Sequence, residues 1–227
     1  MDLSQTLGAL IEIIWIDLVL AGENAIVLAM ATRALPQDRK RIALNAGTIL
    51  FILLRVLLVY ALMAVADLPG FGFAAAALML WAAFWVAMRG ESDKMPEIAP
   101  RRTLGPVLAG ALAYDAQGAL LNMTGVVGAA QGDKPFVMLG LALSIPLLAL
   151  GSAQFVMALR KPPILWASAG FLGWIAGRMA AADSLALASP MPAGLTHDFA
   201  PPLGALIALL LAFGYARGRK IKRVEDR

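Results

Sequence analysis

The chain of 227 residues is 60% hydrophobic and 15% charged, with a net charge of +4 and a mean hydropathy of +0.77. An average soluble domain is roughly 45–50% apolar and about 25% charged, so the composition excludes a disordered chain and argues against a water-soluble domain, which could not hide this much apolar surface. With no cysteine and a single histidine, His197, a disulfide framework, a thiolate metal site and a His-rich zinc centre are excluded as well.

The apolar residues fall into seven runs: about 6–32, 42–66, 71–89, 104–130, 135–159, 164–182 and 199–216. Runs of this length read as transmembrane helices. The first has no basic stretch before it and carries Glu12, Asp17 and Glu23, so it is expected to be a span and not a cleaved leader. The second holds Arg55 near its centre. Trp81 and Trp85 lie toward the end of the third and Trp166 at the start of the sixth, as interfacial anchors do. Pro146 is expected to kink the fifth. The seventh is short and interrupted by Pro201, Pro202 and Gly204. The predicted fold is an all-α membrane protein. Residues 1–216 form a single transmembrane domain and 217–227 a basic tail.

The placement of basic residues orients it. Sixteen of the nineteen lie in the loops 33–41 and 89–102, at Arg160 and Lys161, and after residue 216. The opposite side has Lys134 alone, and Arg55 and Arg178 lie within spans. The positive-inside rule then puts the N-terminus outside and the C-terminus in the cytoplasm, and requires the seventh span. The tail is read as a topology signal and a contact for anionic lipid, not for nucleic acid. Residues 183–198, with His197 and Asp198, are expected to form a plain connector.

A weak internal repeat runs through the chain. Asp17 and Asn24 map onto Asp115 and Asn122 at an offset of 98, and Gly47 and Trp81 map onto Gly140 and Trp174 at an offset of 93. Residues 1–90 and 104–182 thus read as two copies of a three-span unit, with 199–216 as an extra helix. Because three is odd, the second copy inserts upside down, an arrangement that recurs in transporters with a binding site near the midplane.

Asp17, Glu23, Arg55, Asp115 and Arg178 lie within the predicted spans. A charge at a helix centre costs roughly 2.5–3.5 kcal/mol, so each must face the protein interior and meet a partner. Seven residues are close to two helical turns, so each Asp–Asn pair shares one face about 10 Å apart. One reading is an internal latch in which acids and arginines merely pair. The other is a polar cavity for a cation. Carboxylates and carboxamides offer oxygen donors, which suit hard divalent ions such as Mn²⁺, Mg²⁺ or Ca²⁺. Gly22, Gly118, Gly125 and Gly128, on the spans that carry the acids, are read in two ways: they allow close helix packing, or they weaken the helix locally and free carbonyls as ligands. Tyr114-Asp115 also suits an intramembrane aspartyl protease, but the partner motif is missing: Gly70-Phe71-Gly72 is followed by Phe73 in a predicted loop. The expectation is no enzyme.

The segment from Ile16 to Ala31, with Asp17, Gly22, Glu23 and Asn24, resembles the first-span signature of the TerC family of bacterial integral membrane proteins. Leu54-Arg55-Val56, Leu141 to Pro146 followed by Gly151-Ser152, and Gly173-Trp174-Ile175-Ala176-Gly177 resemble its later segments. The resemblance covers nearly all of 6–183. It implies a seven-span transporter of the LysE-type superfamily in the bacterial plasma (inner) membrane that exports a divalent cation, Mn²⁺ foremost. The ion would be a substrate and not a cofactor. The resemblance also implies a metal site at Asp17, Glu23, Asn24, Asp115 and Asn122. The expected partners are the metal ion and the lipid bilayer, with a homo-oligomer compatible and no nucleic acid. Two positions depart from the family pattern. Leu121 stands where an acid precedes the Asn, and Arg178 stands where a Glu follows the Gly-Trp-Ile-Ala-Gly segment. Both remove negative charge, which also suits a non-transporting or substrate-altered relative.

Overall fold

The computed structural model describes residues 3–21, 24–89, 102–130, 133–150, 161–188 and 193–225. Among them the secondary structure is helical, with no strand. In chain order the helices are α1 (Leu3–Ala21), α2 (Asn24–Ala31), α3 (Gln37–Val65), α4 (Phe71–Arg89), α5 (Leu104–Ala129), α6 (Lys134–Leu150), α7 (Pro162–Ala182), α8 (Ser184–Leu187) and α9 (Ala193–Glu225). Helix is the expected outcome for apolar runs in lipid, because it satisfies every backbone group within the segment.

Four of these helices are long and apolar enough to cross a membrane: α3, α4, α7 and the Thr196–Arg217 part of α9. The first and fifth predicted spans lie partly outside the described residues, at 22–23 and 151–159. The fourth is α5, with 26 residues, whose Asp115, Gln117 and Asn122 lower its hydropathy. The seventh departs from expectation. It is not a short, interrupted segment but one helix of 33 residues, with Pro201 and Pro202 inside it. It takes in His197 and Asp198, expected in a connector, and carries the helix on through much of the basic tail. A proline removes one backbone donor without forbidding the turns on either side.

The chain divides into two compact units. One comprises residues 1–66 and 94–158, and the other 67–93 and 159–227. The division does not follow the two sequence halves. The first unit takes two predicted spans from each half, and the second takes the third span of each with α9.

In the first unit α5 packs against α1, α2, α3 and α6, and α1 also packs on α6. The α3 helix shows why. Its buried residues, Ala43, Gly47, Phe51, Arg55 and Val59, recur at every fourth position and so form one stripe, while Ile49, Leu53, Leu57 and Tyr60 are exposed. An apolar exposed face of this kind suits lipid. Val27, Leu28, Phe51, Val107 and Ala111 form one core cluster of this unit. Two glycines set its closest approaches. A Cβ on Gly47 would lie 2.5 Å from Leu28 Cδ1, and one on Gly140 would lie 2.6 Å from Val126 Cγ1. Leu28 and Val126 are themselves 98 residues apart, the same separation as Asp17 and Asp115. A Cβ on Gly118, in contrast, would meet nothing within 4 Å among the described residues, so the expected close packing is not seen there.

In the second unit α7 packs against both α4 and α9. A Cβ on Gly204 of α9 would collide with the backbone of Gly173 and Gly177 of α7, so glycine is required on both sides of that crossing. Before α4 the chain turns at Gly70, with φ +88°, a left-handed conformation that glycine adopts without strain. Asp183 closes this end. Its carboxylate accepts N–H groups from Gly70 at 3.1 Å, Gly72 at 2.8 Å and Leu185 at 2.8 Å, and it caps α8. Burial alone would push the Asp183 carboxyl up, but the N–H groups of Leu185, Gly70, Gly72 and Phe73 outweigh it and hold the group below the ordinary carboxylate range. The Gly70-Phe71-Gly72 segment is therefore not simply a loop, since Phe71 and Gly72 begin α4.

Candidate functional site

Three helices of the first unit bring their polar residues together. Asp115 and Asn122 lie seven residues apart on α5, hence on one face about two turns apart. Asp17 comes from α1 and Arg55 from the buried stripe of α3. Asp17, Arg55 and Asn122 have 0% of their surface exposed, and Asp115 has 2%.

The carboxamide Nδ2 of Asn122 donates to Asp17 Oδ1 at 2.8 Å. This bond ties α1 to α5. Arg55 Nη1 lies 3.6 Å from Asp115 Oδ2, an ion pair with both side chains fully buried. Arg55 interacts electrostatically with Asp17 as well as with Asp115. Much of the cluster's hydrogen-bonding capacity is unused. Both oxygens of Asp115, Oδ1 of Asn122, and Nε and both Nη of Arg55 have no hydrogen-bond partner among the described residues. Buried polar groups are normally satisfied, and unmade bonds in an apolar surrounding are costly. The set holds unsatisfied acceptors on Asp115 and Asn122 beside unsatisfied donors on Arg55.

Of the five predicted site residues the structure brings Asp17 and Asn122 into contact, while Asp115 lies about two turns along α5 and faces Arg55. Glu23 lies outside the described residues. Asn24 opens α2, but its side chain is not among those described. Among the described residues no group of three or more His, Cys, Asp and Glu side chains converges on one point, so the described donors are two carboxylates and a carboxamide. Leu121 is buried beside Asn122 and supplies no ligand there. Arg178 is half-buried in α7, in the second unit, while the two aspartates lie in the first.

Arg55 is the member that sequence reasoning left out of the site. The sequence marks it as a charge needing a partner, with nothing in the linear chain to choose among the acids. Its place on the Ala43–Gly47–Phe51–Arg55–Val59 spacing was the available signal, because it marks the inward face of α3. Glu12, which in the sequence argues only against a cleaved leader, is also buried in α1.

The profile of the family described as "Integral membrane protein TerC family" matches residues 3–221. The chain belongs to the TerC family. Among its relatives is a TerC-like protein of Bacillus subtilis (strain 168) named "Uncharacterized membrane protein YjbE", 28% identical over 213 residues, which cover 93% of this chain and 97% of that protein. No solved structure matches the chain. As a TerC family protein it is an integral membrane protein, in keeping with its apolar helices. The cluster at Asp17, Arg55, Asp115 and Asn122 is the buried polar centre of its first unit.

Proposed function

We propose that this TerC family protein is a secondary transporter that exports a divalent metal cation, with Mn²⁺ the leading substrate. The observation that carries the proposal is the fully buried Asp17–Asn122 contact between the first and fourth spans, with Asp115 two turns along the same helix face. Charge buried within a membrane protein is expensive, and it commonly marks an ion pathway. Hard oxygen donors favour Mn²⁺, Mg²⁺ or Ca²⁺ over softer ions. Glu23 and Asn24 would complete the donor set.

The reading includes seven spans in the bacterial plasma membrane, with the N-terminus outside and the C-terminus cytoplasmic. It also includes two inverted halves that expose the site alternately. The matching contacts of Gly47 with Leu28 and of Gly140 with Val126 support that symmetry. So does the way the first two spans of each half share one unit. The protein works as a carrier and not as an enzyme.

The experiment is uptake into proteoliposomes of Mn²⁺ against Mg²⁺, Ca²⁺ and Zn²⁺, with Asp17→Asn and Asp115→Asn as controls. Wild type moves Mn²⁺ and each variant loses at least tenfold of the flux. If both variants transport as well as wild type, the site assignment is wrong.

The ion pair of Arg55 with Asp115, together with Leu121, favours a second reading: a relative that no longer transports. Titration of purified protein with Mn²⁺ separates the two, because the second reading expects no saturable binding.

A further inference from the structure

We infer that Arg55 is a tethered counter-ion, and that its guanidinium and the transported cation alternate at Asp115. The inference rests on the divalent-cation reading above and adds a residue and a mode of competition to it. The geometry of the pair is the first reason. A permanent buried Arg–carboxylate pair is expected to be short and forked, with two parallel hydrogen bonds that offset the cost of desolvation. Here Arg55 Nη1 stands 3.6 Å from Asp115 Oδ2, and none of the guanidinium nitrogens or Asp115 oxygens has a hydrogen-bond partner among the described residues. The charges face each other without being locked.

Charge balance is the second reason. With Asp17 and Asp115 ionised and Arg55 positive, the described cluster carries a formal charge of −1. A divalent cation at Asp115 would stand beside the guanidinium, and two positive charges at one buried carboxylate repel each other, so each disfavours the other there. Asp17 holds its place through Asn122, so Asp115 is the carboxylate that changes partner. The third reason is asymmetry. The offset that carries Gly47 onto Gly140 carries Arg55 onto Leu148, so the repeat supplies one such arginine and not two.

The test compares wild type with Arg55→Gln, using Mn²⁺ alone as the probe, by equilibrium binding to purified protein and by flux in proteoliposomes. With the competitor gone, Arg55→Gln binds Mn²⁺ about tenfold more tightly, equal to about 1.4 kcal/mol, and its KM and kcat both fall because release slows. A purely structural arginine would give weaker binding or unchanged KM, and either result overturns the inference. If wild type binds Mn²⁺ and Arg55→Gln binds no tighter, only the counter-ion role fails. If wild type itself shows no saturable Mn²⁺ binding, the transport reading fails and takes this inference with it. Should Arg55→Gln not fold, Arg55→Met decides, since it also removes the charge: Mn²⁺ binding about tenfold tighter supports the proposal, and unchanged or weaker binding overturns it.

Discussion

Asn122 on α5 donates its carboxamide hydrogen to Asp17 on α1 at 2.8 Å, with both residues fully buried. The bond joins residues 105 positions apart and orients the Asp17 carboxylate. Replacing Asn122 by Leu removes that donor. Interhelical hydrogen bonds in membranes contribute about 0.6–2 kcal/mol, so Asn122→Leu should lower stability by roughly that amount and reduce Mn²⁺ flux more than tenfold. Thermal unfolding in detergent and proteoliposome uptake check the two effects separately.

The paired contacts of Gly47 and Gly140 differ in how far their neighbours can yield. Overpacking costs about 1–3 kcal/mol. Leu28 meets Gly47 with the mobile end of its side chain, whereas Val126 and Ile13 meet Gly140 with β-branched methyls, which are stiff. Gly140→Ala should therefore destabilise more than Gly47→Ala, and Val126→Ala should rescue it only in part, since Ile13 remains. Equal losses in a thermal-shift comparison would contradict the packing described.

At the crossing of α7 and α9 the obstacle is backbone and cannot rotate away. Gly204→Ala should prevent accumulation of folded protein or lower its melting temperature sharply. Gly118→Ala meets open space and should be neutral or stabilising by up to about 1 kcal/mol, since alanine favours helix. Size-exclusion profiles and melting curves of the two variants provide the comparison.

Asp183 ties the start of α4 to the end of α7 through backbone N–H groups, and its carboxyl is held below the ordinary range. A depressed folded value means the stabilisation is fully present above the unfolded pKa, about 3.9, and is lost as pH falls through the lower folded value. Asp183→Ala should cost about 1 kcal/mol or more at neutral pH. The gap to wild type should stay constant between pH 6 and 8 and narrow below about pH 4. A gap that widens on acidification would contradict the linkage.

Several features were legible in the linear chain because their causes are local. Burying charge in lipid is costly, so the positions of Asp17, Asp115 and Arg55 already announced an interior cluster. Period and spacing placed Asp115 and Asn122 on one face of α5 and predicted α3, α4 and α7 within a few residues. The run through Pro201 and Pro202 misled, because a proline signals a missing donor and says nothing of the neighbouring helix that supports the turns around it.

Partner choice was not legible. Three acids and two arginines allow many pairings, and each satisfies the same local rule. Only the packing of α3 against α5 brings Arg55 to Asp115, and only that of α1 against α5 brings Asn122 to Asp17. The sequence by itself determined that this is a helical membrane protein with charge held inside. The tertiary structure decided which charges meet, because contacts between helices depend on side-chain shape across an interface that no single helix encodes.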